Sequence, residues 1–165
     1  MHDCLKHNVN YVLCEYFGRK ISLGDIVNGI LNVDLAHSHF EGNTFDVVMT
    51  RDVFEPIPDP YKAFKELYRI LKLGGVHIFT VSFYQTDYFD EKRAEIIDGE
   101  VIYHMEPIYH LDPLNSSGIL VYNIFSLEML LKLAQLGFRT TMHKLYDIRY
   151  GILGNNGLVF ESKKI

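Results

Sequence analysis

The chain has 165 residues, 48% hydrophobic and 22% charged, an ordinary globular composition that excludes a disordered tail, a collagen-like rod and a coiled coil. Lys plus Arg is 16 against 21 Asp plus Glu, a net charge of -5, so no overall field draws it onto nucleic acid or anionic lipid. Two cysteines, Cys4 and Cys14, are too few for a disulfide framework and form no C-x-x-C pair, which makes the reduced cytoplasm the expected compartment.

Met1 to His7 lacks the apolar core of a signal peptide, and no run approaches the ~18 apolar residues of a membrane span. One domain over residues 1–165 is expected, with no nucleic-acid or membrane partner. Val9 to Cys14 (VNYVLC) reads as a short strand, residues 18–29 with Gly18, Gly24 and Gly29 as loop, and Ile30 to Leu35 as a second short strand. After the turn chemistry of Glu41-Gly42-Asn43, Phe45 to Thr50 (FDVVMT) is a near-continuous apolar run, as in a strand buried on both faces of a parallel sheet.

Asp59-Pro60 predicts a helix start, because Asp accepts from free N–H groups and Pro suits the first helical position. Phe64, Leu67, Tyr68 and Leu71 continue it as an amphipathic stripe, with Lys72 in the last turn and Gly74-Gly75 as its stop. Val76 to Phe83 (VHIFTVSF) is the next strand. Residues 45–83 therefore predict a β-α-β unit with a right-handed crossover, both strands central, and Val47, Val48, Phe64, Leu67, Leu71, Ile78 and Phe79 buried.

Residues 84–123 are aromatic and irregular, with Pro107, Pro113, Asn115 and Gly118, and read as a functional insertion or lid. Ser126 then caps a helix with the stripe Leu127, Leu130, Leu131 and Ala134, closed by Gly137. Phe138 to Leu145 and Leu158 to Ser162 close the chain as antiparallel strands, with turn chemistry at Asn155-Asn156-Gly157. Gly151, Gly154 and Gly157 read as a plain turn rather than a ligand loop.

The ordered set Asp34-Leu35, Phe45-Asp46-Val47-Val48, Phe54-Glu55, Pro58-Asp59-Pro60 and Arg69-Ile70-Leu71-Lys72 with Gly74-Gly75 resembles the second half of a class I S-adenosylmethionine-dependent methyltransferase, of the methyltransferase type 11-like kind. The resemblance spans roughly three quarters of the chain once the final helix and strands are included. It departs at Pro56, where the family has His, and at Leu73, where it has Pro. The family's opening strand and G-x-G-x-G loop have no counterpart before residue 18. The resemblance implies a Rossmann-like α/β fold with a mostly parallel sheet, an antiparallel C-terminal strand and an N-terminal truncation. Without the opening strand, a sheet edge is expected to be left open. The early segment then shifts, detaches, or leaves that edge to recruit another copy of the chain.

The resemblance also implies the chemistry. S-adenosylmethionine is the cofactor, and its methyl passes in line to an acceptor that the sequence does not identify. Glu15, after VNYVLC, stands where a carboxylate receives the vicinal ribose hydroxyls, although a solvated carboxylate after a strand looks the same. Asp34 stands beside the adenine amino group, although an ordinary turn Asp reads the same, and Leu35 offers its N–H to the ring. Arg51 and Asp52 lie beyond the carboxyl end of FDVVMT, where open α/β sheets bind ligands. Phe54 anchors this loop in the core, and Glu55 is expected to cap or pair locally rather than act in catalysis. In the irregular segment His110 is a base candidate and Asp112 its orienting partner, with His104 and Tyr109 nearby; an ordinary surface loop reads equally. His37-x-His39 lacks a third ligand, so no metal is expected. The rival reading is a non-catalytic methyltransferase-like interaction module or inactive fragment, and weak or absent cofactor binding is expected of this chain alone.

Overall fold

A computed structural model describes residues 5–8, 10–18, 20–112, 115–154 and 157–165; Asn155 and Asn156 of the expected final turn lie outside them. The first strands form a small three-stranded sheet in the order β1-β3-β2. β1 (Cys14–Glu15) runs parallel to β3 (Ile30–Asn32), and β2 (Ile26–Val27) runs antiparallel to it. Both expected strands are thus shorter than read. The Asp34 carboxylate explains the end of β3: its Oδ1 accepts the Ala36 N–H at 2.8 Å, which turns the chain. The segment read as loop holds β2, which joins β3 as a hairpin. Its two turn residues, Asn28 and Gly29, have φ of 51° and 82°, the positive values a tight two-residue turn needs.

The main sheet has the order β12-β13-β5-β4. β4 (Phe45–Arg51) and β5 (Leu71–Thr80) are parallel, joined by α1 (Pro60–Ile70). β13 (Leu158–Lys164) lies antiparallel to β5, and β12 (Phe138–Lys144) antiparallel to β13. The predicted β-α-β unit and antiparallel chain end are therefore present. The predicted central place of FDVVMT is not: β4 is an edge strand among the described residues, and Val48 is only half-buried; Val47, 47% exposed, and half-buried Ile78 lie on the sheet face opposite buried His77 and Phe79.

Asp59 caps α1 as read, its Oδ1 accepting from the Lys62 N–H at 3.3 Å, with Pro60 in the first turn. The helix stops at Ile70 rather than at Gly74-Gly75, because Leu71 already has the extended backbone of β5. Gly74 and Gly75 lie inside β5, opposite a register shift in β4. A Cβ on Gly75 would stand 3.1 Å from the Phe45 carbonyl and 2.9 Å from that of Lys72. Gly there permits close strand approach rather than ending the helix.

Residues 84–123 are more regular than read. β6 (Glu91–Lys92) pairs with β11 (Asn123–Ile124), β7 (Ala94–Ile97) with β8 (Glu100–Tyr103), and β9 (Tyr109–Asp112) with β10 (Asn115–Leu120). Asp98-Gly99, both at positive φ, makes the β7–β8 turn. α2 (Leu127–Gln135) follows. It turns Met129 and Leu133 into the core, and Leu127 and Leu131 face outward, so the expected stripe is out of phase. Ser126 starts the helix without capping it: its hydroxyl donates to the Tyr88 carbonyl, while the carbonyls of Asp87 and Tyr88 take the first helical N–H groups.

One core joins α1, α2 and one face of the main sheet through Phe54, Phe64, Leu67, Phe79, Phe125, Leu133 and Phe160, none more than 1% exposed. Burying each such side chain contributes about 1.5–3 kcal/mol. Phe54 stacks flat on Phe64, with centroids 3.9 Å apart, which anchors the loop after β4 as expected. Among the described residues no helix is long and apolar enough to cross a membrane.

Candidate functional site

Parallel pairing of β1 with β3 puts Glu15 opposite Asn32, so Glu15 and Asp34 emerge from the same end of the small sheet. Glu15 is exposed, and its carboxylate accepts only the neighbouring Tyr16 N–H, at 3.2 Å, among the described contacts. Buried Asn32 fixes the approach: its Oδ1 accepts the Phe17 N–H at 2.9 Å, and its amide donates to the carbonyls of Ile21 and Ser22. The loop after β1 is thereby folded over the end of β3.

Asp34 borders two clefts. One, of about 160 Å³, runs between Leu31–Val33 and His37–Phe40; the other, of about 320 Å³, lies against Tyr16, Gly18, Ile21 and Ser22. The Asp34 carboxylate is itself held in place, by the Ala36 N–H and by His37 Nδ1 at 3.2 Å. His37 contacts Lys62 through Nε2, and Ser38 donates to Glu66 at 2.7 Å. The Arg69 guanidinium beside Glu66, with the Ser38 hydroxyl, holds its carboxyl below the usual range. These contacts fasten the 34–40 segment to α1, and Leu35, Ala36 and Phe40 pack on the core.

Arg51 is the last residue of β4 and Asp52 the first beyond it, and neither borders a cleft. Asp52 has φ of 51° and is bonded to Thr80 at the end of β5, its Oδ1 accepting the Thr80 hydroxyl at 2.9 Å. Next to it Glu55 is wholly buried. One carboxylate oxygen accepts the Ser82 N–H, and its backbone carbonyl accepts from Tyr122 and Asn123. Glu55 therefore does not pair locally: its partners are distant in sequence, and it ties the loop after β4 to the end of β5 and to the insertion.

The insertion candidates do not join this group. His110 lies in the β9–β10 hairpin opposite Ile119, and His104 Nε2 meets Glu95 at 2.9 Å. Neither borders a cleft described above. The side chain of Asp112 lies outside the described residues. What fastens the insertion is Asp90, which the sequence reading passed over. Its Oδ1 accepts the Ser126 N–H at 2.9 Å, and its Oδ2 meets the Tyr61 hydroxyl and, at 3.3 Å, Lys132. Burial and the Asp90 carboxylate push the Tyr61 hydroxyl's pKa up. Asp90 follows no aromatic or charged periodicity, so only the contact reveals it.

The adenosine half of S-adenosylmethionine asks for paired acceptors at its diol and an acceptor at its amino group. Glu15 and Asp34 are oxygen acceptors of that kind at neighbouring strand ends; Asp34 borders both clefts, and Glu15 lines neither but precedes Tyr16, which lines the larger. Residues 8–79, which hold Glu15, Asp34, Leu35, Arg51 and Asp52, match the family model of a methyltransferase domain. A stretch of 42 residues is 45% identical to phosphoethanolamine N-methyltransferase 2 of Caenorhabditis elegans, 26% of this chain but only 10% of that enzyme. An S-adenosylmethionine-dependent methyltransferase from Mesorhizobium loti superposes with a TM-score of 0.53 at 16% identity, over 85% of this chain and 72% of that one. One from Methanosarcina mazei gives 0.50 at 18% identity, over 82% of this chain and 66% of that one. At such identities the structures speak for the fold.

Proposed function

We propose that this chain, which carries a class I S-adenosylmethionine-dependent methyltransferase domain, binds the cofactor's adenosine between the ends of β1 and β3 and serves methyl transfer to a small phosphorylated amine. The observation that carries the cofactor reading is the common placement of five residues. Glu15, Asp34, Leu35, Arg51 and Asp52 all fall within the matched methyltransferase stretch, and all stand at or just beyond the carboxyl ends of strands. In open α/β sheets that is where ligands lie.

In this reading the Glu15 carboxylate accepts both ribose hydroxyls, the Asp34 carboxylate accepts from the adenine amino group, and the Leu35 N–H donates to the ring. His37 and the Ala36 N–H keep the Asp34 carboxylate from rotating away. Arg51 and Asp52 border the methionine part. The bound cofactor supplies an electrophilic methyl group. The chain's part is positioning, which for in-line transfer accounts for most of the achievable rate gain.

The acceptor class rests on the 45% identical stretch of the nematode phosphoethanolamine enzyme. The test is radiolabelled methyl transfer from S-adenosylmethionine to phosphoethanolamine. Label in the amine product, lost in Glu15→Ala and Asp34→Ala, supports the whole reading. Cofactor binding without transfer to any amine removes the acceptor but keeps the site. Absence of both favours a non-catalytic methyltransferase-like module.

A further inference from the structure

The loop between β12 and β13 holds apolar side chains out in water. Tyr146, Ile148, Tyr150 and Leu153 are 71%, 69%, 78% and 61% exposed. Among the described residues, the only other large apolar side chains as exposed are Ile26, Leu73 and Phe89, each in a different segment. We propose that residues 144–153 dock the chain on a lipid bilayer with anionic headgroups, and that these four side chains enter its interface.

The loop is a built turn. Asp147 starts a 3-10 helix at Ile148–Tyr150, its carboxylate accepting the Arg149 N–H at 2.9 Å, and Gly151 ends it with φ of 69°. Asp147 and Ile152 exchange two backbone hydrogen bonds, each of 3.0 Å. The Tyr150 N–H donates to the Asp147 carbonyl, and the Gly151 N–H to that of Ile148. These backbone groups are thus paired within the loop, as entry into a medium poor in water requires.

The charges fit the same partner. Asp147 is neutralised by Arg149, whose Nε and Nη2 donate to it at 3.0 and 2.7 Å. Lys144, exposed at the base of the loop, makes no ion pair among the described residues. Lys144 and Arg149 against Asp147 leave one positive charge, on a chain whose net charge is -5. The overall field does not favour an anionic surface, but this loop does. Tyrosines sit well at the boundary of a bilayer, their rings in the apolar side and their hydroxyls in water. A stable protein interface is a broad patch of some 20–30 residues a side, whereas these side chains stand on one short loop. The loop also leaves the sheet at a definite end. Phe160 lies opposite Phe79, and Leu158 opposite Lys144, so the loop is at the carboxyl end of β5, where Asp52 and Thr80 stand. Docking turns that end toward the bilayer. This inference needs no cofactor and stands apart from the methyltransferase reading.

The chain has no tryptophan, so Tyr150→Trp places a single fluorescent reporter in the loop. With vesicles of phosphatidylcholine and phosphatidylserine, its emission is expected to shift to the blue, and the native chain is expected to pellet with them. Leu73→Trp, near the opposite end of β5, is expected to keep its emission. Ile148→Ser combined with Leu153→Ser is expected to weaken pelleting at least about ten-fold, with circular dichroism unchanged. An unshifted Tyr150→Trp, equal shifts at both reporters, or full pelleting by the double serine variant overturns the proposal. If that variant does not fold, the two reporters decide. Pelleting on phosphatidylcholine alone should be weaker, and equal pelleting overturns the anionic preference. A native dimer in light scattering that the two serines break also overturns the proposal, because a second copy then covers the loop.

Discussion

Asp52 and Thr80 are fastened to each other twice: the Asp52 N–H donates to the Thr80 carbonyl at 3.1 Å, and the Thr80 hydroxyl donates to Asp52 Oδ1 at 2.9 Å. The carboxyl ends of β4 and β5 are thereby locked side by side where the proposed site opens. Asp52 also holds a positive φ of 51°, which Asn tolerates and Ala does not. Asp52→Asn is expected to retain stability to within about 0.5 kcal/mol. Asp52→Ala is expected to lose about 1–3 kcal/mol, from the hydrogen bond and the strained backbone together. Urea unfolding of the two variants checks the ordering, and equal losses would remove the backbone argument.

Asp90 gathers Tyr61 of α1, and Ser126 and Lys132 of α2, onto the start of the insertion. Its side chain is 10% exposed, so removing it leaves the Tyr61 hydroxyl and the Ser126 N–H short of a partner, while Lys132 keeps Glu128 at 2.9 Å. Asp90→Ala is expected to cost about 3 kcal/mol, and Tyr61→Phe about 1 kcal/mol. Hydrogen exchange in Asp90→Ala should rise first in the 84–123 segment. Uniform acceleration across the main sheet would contradict this.

His77 gives the fold a pH dependence. It is fully buried, Nε2 lies 2.9 Å from the Thr50 hydroxyl, and burial lowers its pKa from 6.5 to about 3. Between those values the unfolded chain binds a proton that the folded chain does not. Stability from this group is therefore complete above pH 6.5 and is lost as the pH falls toward 3, by about 1.4 kcal/mol per pH unit. Unfolding midpoints of the native chain and His77→Gln, measured at falling pH, should converge. A constant gap between them would assign the acid sensitivity to other groups.

Parts of this architecture were legible in the sequence because they follow from local chemistry. Asp59-Pro60 starts a helix wherever it is placed, and FDVVMT and VHIFTV form strands in either setting. Asn28-Gly29 and Asp98-Gly99 carried an equally local signal, a two-residue turn at positive φ, and would have revealed both hairpins. Two features had no local signal. Whether FDVVMT is central or at an edge depends on what pairs with it. Whether α2 buries Met129 and Leu133 or its leucine stripe depends on the angle at which it meets β12 and β13. Of the candidate site residues, Glu15 and Asp34 are read from motif position and stand at neighbouring strand ends. Asp90 and the Asp52–Thr80 pair depend on contacts between segments distant in sequence.

If Asp34 accepts from the adenine amino group, Asp34→Ala leaves a donor unpaired and should weaken cofactor binding by about 1–3 kcal/mol. His37→Ala, which frees the Asp34 carboxylate without removing it, should weaken binding less. Reversal of that order would move the adenine contact from Asp34 to His37.

Calorimetric titration of the purified chain with S-adenosylmethionine, beside the Glu15→Ala variant, tests the central claim most directly. The account predicts a saturable, weak heat of binding in the native chain and its loss in Glu15→Ala, with the melting temperature of the two proteins unchanged in the absence of cofactor. Equal binding by both would contradict a cofactor site at the ends of β1 and β3, and no binding by the native chain would contradict a cofactor site in this chain at all.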